Sequence, residues 1–255
     1  MPAPSMTSSS PLNNRIALVT GASRGIGAAA ALALARAGAH VVAVARTQGG
    51  LEELDDAIRA EGGAATLVPL DLKDMEGIDR LGGALYERYG RLDILVGNAG
   101  VLGTTSPLAH VEPKDWDEAV TINLTANWRL IRSMDALLRA SDAGRAVFVT
   151  SGAATRVRAY WGPYAATKAG LEVLARTYAA ETATTPVRVN LFNPGATRTR
   201  MRSNAMPGED ATTLPTPDEV AQAIVPLCLP SFTETGRLYD YRSRQLLAFQ
   251  PPAPV

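Results

Sequence analysis

A single cysteine among 255 residues leaves no partner for an internal disulfide. It is Cys228, inside the apolar run Ile224-Val-Pro-Leu-Cys-Leu229, and it reads as a small buried hydrophobe rather than a nucleophile. Histidine is scarce too. His40 and His110 stand alone, with no carboxylate or cysteine at ligand spacing, so no metal is expected. Neither sign of charge is in excess: 25 acidic residues balance 25 basic ones. No bulk field therefore draws the chain to nucleic acid or to a membrane surface. No apolar run approaches the length of a membrane span. Residues 1–12 lack the basic region and apolar stretch of a signal peptide and read as a disordered tail. The Pro-rich residues 249–255 read as a second tail. With no internal repeat and no dividing linker, residues 13–248 are expected to form one domain. These absences point to a soluble, cytoplasmic protein.

What is present is organised around residues 15–37. An apolar run, Ile16-Ala-Leu-Val-Thr20, enters the turn Gly21-Ala-Ser-Arg-Gly25-Ile-Gly27 and leaves as an alanine-rich helix. Glycine is placed where a Cβ would collide or where φ must be positive. Backbone N–H groups at a helix start lack partners and carry partial positive charge, so an anion, usually a phosphate, belongs there. The spacing is Gly-x-x-x-Gly-x-Gly, not the Gly-x-Gly-x-x-Gly of the general dinucleotide fold. A ligand-free connection remains open for this stretch alone.

The rest of the chain alternates. Strand patterns fall at 16–20, 39–45, 65–70, 92–96, 144–150 and 187–192, with a late one near 236–241. Helical spacing fills 51–61, the stretch from 74 to about 89, 115–140, 162–184 and 217–229, the last with Thr216 as its cap. Alternation of this kind predicts an α/β fold, a doubly wound parallel sheet with helices on both faces. Such sheets bind ligands beyond the carboxyl ends of their strands. The turn 21–27, Arg46, Asp71, residues 97–100, Ser151 and Pro194-Gly195 all fall at such ends.

Tyr164 and Lys168 lie four apart near a helix start, which puts them on one face with Cβ atoms roughly 5–6 Å apart. A nearby ammonium favours tyrosinate and makes the phenol a usable acid and base. Ser151, after the fifth strand, has a hydroxyl that can bond a substrate oxygen. Taken singly, each has a plain reading: a solvated pair and a turn-forming serine. Taken with the glycine turn, they form a catalytic constellation.

At these residues the chain resembles the short-chain dehydrogenase/reductases. Thr20-Gly-Ala-Ser-Arg-Gly-Ile-Gly27 is similar to their cofactor turn, Asn98-Ala-Gly100 to the motif after their fourth strand, and Asn123 to the asparagine of their long central helix. Ser151 and Tyr164-x-x-x-Lys168 match the catalytic group, spacing included. Asn193-Pro-Gly-Ala-Thr-Arg-Thr-Arg-Met201 resembles the segment over the nicotinamide. The resemblance implies a Rossmann-like fold and roles for these residues. Tyr164 would exchange the proton with the substrate oxygen, and Lys168 would bind the nicotinamide ribose and depress the tyrosine pKa. Ser151 would hold the substrate oxygen, and Asn123 would anchor a water that relays protons to Lys168. Gly21, Ser23, Arg24, Gly25, Ile26 and Gly27 would meet the diphosphate side. Asp71 and Leu72 would meet the adenine, with Asn98, Ala99 and Gly100 beside the adenosine. Pro194, Gly195, Thr197 and Thr199 would lie at the carboxamide.

Charge selects the cofactor. Ala45 stands where NAD-type members carry Asp; Arg46 follows it, and Arg24 lies in the turn. Two guanidinium groups and no acid suit a 2′-phosphate, so NADP is expected rather than NAD. The implied reaction is reversible reduction of a ketone or aldehyde by hydride transfer. The substrate is a small molecule, its walls coming from 101–106, 153–163 and 196–215. Trp161 reads equally as a pocket wall or as packing. Arg156 and Arg158 read as solvated, with an anionic substrate as the alternative. Residues 196–216 read as a flexible segment that could close as a lid. The family implies a homodimer or homotetramer, although residues 239–247 depart from its Gly-rich ending. Two alternatives stay open: a retired NADP(H)-binding sensor or scaffold, and a dehydratase or epimerase.

Overall fold

The computed structural model describes residues 10–250. Seven parallel strands and one antiparallel edge strand form a single sheet, in the order β3-β2-β1-β4-β5-β6-β7-β8. The strands are β1 (Ile16–Thr20), β2 (His40–Ala45), β3 (Ala65–Pro69), β4 (Ile94–Gly97), β5 (Arg145–Val149), β6 (Arg188–Asn193), β7 (Leu238–Asp240) and β8 (Gln245–Leu247). Strand order reverses at β1, so the crevice between the carboxyl ends of β1 and β4 is the natural ligand site.

Both faces of the sheet are covered, which is why β1, β2 and β4 read as near-continuous apolar runs. On one face lies α1 (Gly25–Arg36), whose buried Ala30, Ala31 and Leu34 pack with Val19, Val41 and Ala43 of the sheet. Small side chains let this helix sit close and bring its first turn over the end of β1. On the other face lie α3 (Met75–Tyr89), α5 (Ala126–Ala140) and α6 (Gly162–Glu181). There Ile78, Leu130, Leu138 and Leu171 pack against Leu18, Leu95 and Phe148. The first face is completed by α2 (Gln48–Ala60), α8 (Pro217–Ala221) and α9 (Val225–Cys228).

Several boundaries differ from expectation. The helix expected from residue 51 begins at Gln48 and takes in Gly49 and Gly50. Gly50 is there for contact: a Cβ on it would lie 2.8 Å from the Ser23 oxygen. The expected 115–140 helix is two helices, α4 (Pro113–Val120) and α5, joined by a π turn over Thr121–Thr125. The 217–229 helix is broken into α8 and α9, since Pro226 has no N–H to continue the ladder. Its start keeps the expected cap: Thr216 and Glu219 form a reciprocal capping box. The unanticipated β8 pairs with β7 through a turn in which Arg244 has φ of 57°. That turn lacks the Asn-Gly or Asp-Gly signal of a hairpin.

The tail expected over 1–12 does not hold at residue 12. Leu12 is fully buried among the α1 core residues, and its N–H donates to the Ala37 carbonyl at 2.8 Å. Residues 1–9 and 251–255 lie outside the described residues. Phe249, placed in the second tail, packs against the core and lies 4.4 Å from the Arg176 guanidinium. We expect Leu12→Ala to cost about 3 kcal/mol, as a buried leucine truncated in a closed core does. Denaturant unfolding checks this; a loss within error of zero would mean the site is solvated in solution. No helix among the described residues is long and apolar enough to cross a membrane.

Candidate functional site

The glycine turn is built by contact. Gly21 and Gly25 have φ of 67° and 58°, which favours glycine. Gly27 serves differently: a Cβ there would stand 2.2 Å from the Gly21 oxygen and 2.4 Å from Asn98 Nδ2. It lets α1 close onto the strand and does not itself line the cavity. Thr20 and Asn98 fix the turn to β4. The Thr20 hydroxyl accepts from the Asn98 and Ala99 N–H groups, and Asn98 Nδ2 donates to the Thr20 carbonyl at 2.9 Å. The Asn98 amide nitrogen is therefore spent on the scaffold. Above Gly25 the space is open; a Cβ there would meet only Thr199 Cγ2, at 3.6 Å. The start of α1 has no side-chain cap and no acid in its first turn. Its N–H groups are thus aimed at that space without a side-chain partner, which suits a diphosphate.

The second group lies across the mouth of β4 and β5. Tyr164 and Lys168 share the buried face of α6 and are 8% and 3% exposed. Lys168 Nζ donates to the Val149 carbonyl at 2.8 Å and lies 5.8 Å from the Tyr164 ring centre. Burial pushes the Lys168 ammonium down to about 8, with Glu172 working the other way. The phenol is pushed up by burial, opposed by the neighbouring Ser151 hydroxyl. Burial is the larger influence on the phenol, and Lys168 Nζ is directed to the Val149 carbonyl. Ser151 caps a short 3₁₀ turn, accepting from the Ala153 N–H at 3.2 Å.

Asn123 sits in the π turn, fully buried behind the cavity wall rather than on it. Its Oδ1 accepts from the Val101 N–H, and its Nδ2 donates to the Val101 carbonyl and the Thr167 hydroxyl. Both amide hydrogens are committed, so a water anchored there has only Oδ1 to bond on the side chain. That oxygen faces the right way: a Cβ on Gly100 would lie 3.1 Å from it and 3.5 Å from Lys168 Nζ.

A cavity of about 470 Å3 joins the two groups. Gly21, Ser23, Arg24, Gly25, Ile26, Arg46, Asp71, Leu72, Asn98, Ala99, Gly100, Ser151, Tyr164, Lys168, Pro194, Gly195, Thr197 and Thr199 all line it. Of the expected site residues, only Gly27 and Asn123 stand behind. Arg46 lies 3.9 Å from Asp71, both about half exposed, and Arg24, from the glycine turn, lines the same cavity.

Residues 196–216 fold over the cavity as α7 (Arg200–Ala205), capped by Thr199, and a 3₁₀ turn at Ala211–Thr213. The segment expected to be flexible is held by Arg198, which donates to the carbonyls of Ala211, Thr212 and Leu214, and by an Arg202–Glu209 ion pair. Trp161 is a wall residue, edge-on to Tyr164 at 5.9 Å between ring centres. Arg158 stacks over Trp161 at 5.2 Å and, like Arg156, does not line the cavity.

Val101 and Leu102 line the cavity within the expected wall 101–106, whereas Ile122 lines it as an ordinary apolar residue that carried no signal of its own. Asn193 is a hub: its Oδ1 accepts from the Gly152 and Gly195 N–H groups, and its Nδ2 donates to Asp240. It ties the Ser151 loop to the Pro194-Gly195 turn.

Comparison with known proteins agrees with this geometry. The short chain dehydrogenase family model matches residues 15–210. The uncharacterised oxidoreductase YciK of Escherichia coli K12 is 38% identical over 237 residues, covering 90% of this chain and 92% of that protein. A short chain dehydrogenase of Shigella flexneri 2a, solved with NADP, superposes with a TM-score of 0.88 at 37% identity, over 92% of this chain and 99% of that one. A second, from Escherichia coli CFT073 and solved with NADPH, gives 0.85 at 37% identity, over 91% and 98%. With the family model covering most of the sheet and nearly all of the cavity lining, the chain belongs to the short-chain dehydrogenase family and is an oxidoreductase of that family.

Proposed function

We propose that the protein is an NADP(H)-dependent oxidoreductase that interconverts a ketone or aldehyde and an alcohol, with Tyr164 as the acid and base. The observation that carries the reading is one cavity whose wall holds Ser151, Tyr164 and Lys168 at one end and Arg24 and Arg46 at the other. The glycine turn at its middle leaves room for a diphosphate, and the binding of NADP and NADPH by similar proteins supports the choice of cofactor.

The cofactor supplies the hydride; the chain supplies position and protons. Ser151 holds the substrate oxygen. Tyr164, kept neutral by burial, gives its proton to that oxygen during reduction. Lys168 would hold the ribose, and it stands between Tyr164 and Asn123 Oδ1, where a proton can be returned. Arg24 and Arg46 would hold the 2′-phosphate, which an acid at position 45 would have opposed. Trp161 and Leu102 shape the apolar wall above the reacting atoms. We extend the reading to a homodimer or homotetramer, supported by Trp128 and Val173, large apolar side chains left exposed on α5 and α6.

The test is loss of NADPH absorbance against a panel of ketones, quinones and aldehydes. Turnover with several members is expected. Tight NADPH binding with no turnover across the panel would replace the enzyme by a sensor.

A further inference from the structure

We propose that Glu172 is a positioning residue of the active site: its carboxylate keeps Lys168 charged and, through Thr150, fixes the strand end that presents Ser151. The inference rests on the reading of Lys168 as the cation that holds the nicotinamide ribose. Glu172 lies four residues beyond Lys168, one turn along the same face of α6. A glutamate at that spacing is commonly half of a solvated pair. Here both partners are buried, Lys168 at 3% and Glu172 at 6% exposure. Glu172 Oε1 accepts from the Thr150 hydroxyl at 2.8 Å, while Lys168 Nζ donates to the carbonyl of the preceding residue, Val149, at 2.8 Å. Two successive turns of α6 thus grip two successive residues at the end of β5, and Ser151 follows directly.

Charge gives the second half of the argument. An ammonium taken out of water sheds its proton unless a counter-charge compensates. Burial lowers Lys168, and the one charge that raises it is Glu172. Glu172 is itself pushed up by burial and held down by the Thr150 hydroxyl, Arg176 and Lys168. Other elements packed on α6 add little. The π turn brings the uncharged Asn123, and β5 brings the hydroxyl of Thr150. On α4 and α5, Asp115 bonds Thr104, Glu118 pairs with Lys73, Asp135 pairs with Arg139, and Asp117 is exposed. Arg188 of β6 is spent on main-chain carbonyls.

The experiment is NADPH binding to the full chain, followed by protein fluorescence across pH. Affinity should fall on the alkaline side as Lys168 loses its proton, and Lys168→Met should remove that fall. In Glu172→Gln, which keeps the shape and a hydrogen-bonding group, the midpoint should drop by about one pH unit. A midpoint unmoved in Glu172→Gln, or one that survives in Lys168→Met, overturns the proposal. Should Glu172→Gln not fold, Glu172→Asp takes its place. Its shorter carboxylate draws back from Lys168, and a smaller drop in the same direction is expected, an unmoved midpoint again counting against it. The readout needs no turnover. An inactive Glu172 variant with an unmoved midpoint therefore counts against this inference alone, whereas an active Tyr164→Phe removes the oxidoreductase reading.

Discussion

Tyr164→Phe should leave NADPH affinity unchanged and lower turnover about a thousandfold, the usual weight of a positioned acid. The substitution removes one oxygen from a side chain that is already 8% exposed, so packing against Trp161 survives. What is lost is the proton donor. Burial holds the phenol in its neutral form, which is the form reduction consumes. The sign follows for pH: reduction should be favoured below the point at which Tyr164 and Lys168 give up protons, and alcohol oxidation above it. Lys168, at about 8, is the first of the two to do so. Single-turnover measurements with NADPH separate binding from chemistry. Turnover preserved in Tyr164→Phe would take the acid role away from this residue.

Arg46→Asp should weaken NADPH binding about a hundredfold while affecting NADH much less, inverting the preference. Arg46 lies beyond β2, half exposed and 3.9 Å from Asp71, a loose partner that a phosphate can displace. Reversing its charge removes a guanidinium from the phosphate and sets two carboxylates side by side at the cavity end. Arg24 remains, so the loss is partial. Fluorescence titration of both cofactors, at fixed ionic strength, gives the ratio directly. A ratio unchanged by the substitution would mean that Arg46 stands clear of the 2′-phosphate and that Arg24 alone reads it. Salt should narrow the difference, because the site is open to solvent at this end.

Much of this was legible in one dimension because it is written locally. Strand and helix periods show over five to twenty residues, and a positive-φ glycine declares its own turn. The family motifs lie at strand ends, so the alternation of elements already gathers Ser151, Tyr164, Lys168 and the glycine turn at one edge. The boundaries that slipped depend on partners elsewhere. Gly50 is glycine because Ser23 lies against it, and Leu12 is core because it packs with the α1 residues while its N–H bonds the Ala37 carbonyl.

The order of residues by itself determined the layered α/β plan and the place of the glycine turn, which follow from short-range pattern, and it singled out Tyr164 and Lys168 by spacing, with Ser151 and Asn123 added through the family resemblance. Tertiary contact alone decided that Gly27 packs rather than lines, that Asn123 commits both amide hydrogens to Val101 and Thr167, and that Arg198 pins the segment over the cavity. It also decided that Glu172 is buried against Thr150 instead of facing water. Gly27 is fixed by the closeness of Gly21 and Asn98, and the other three by hydrogen-bond satisfaction and desolvation against partners 13 to 44 residues away, which no local window contains.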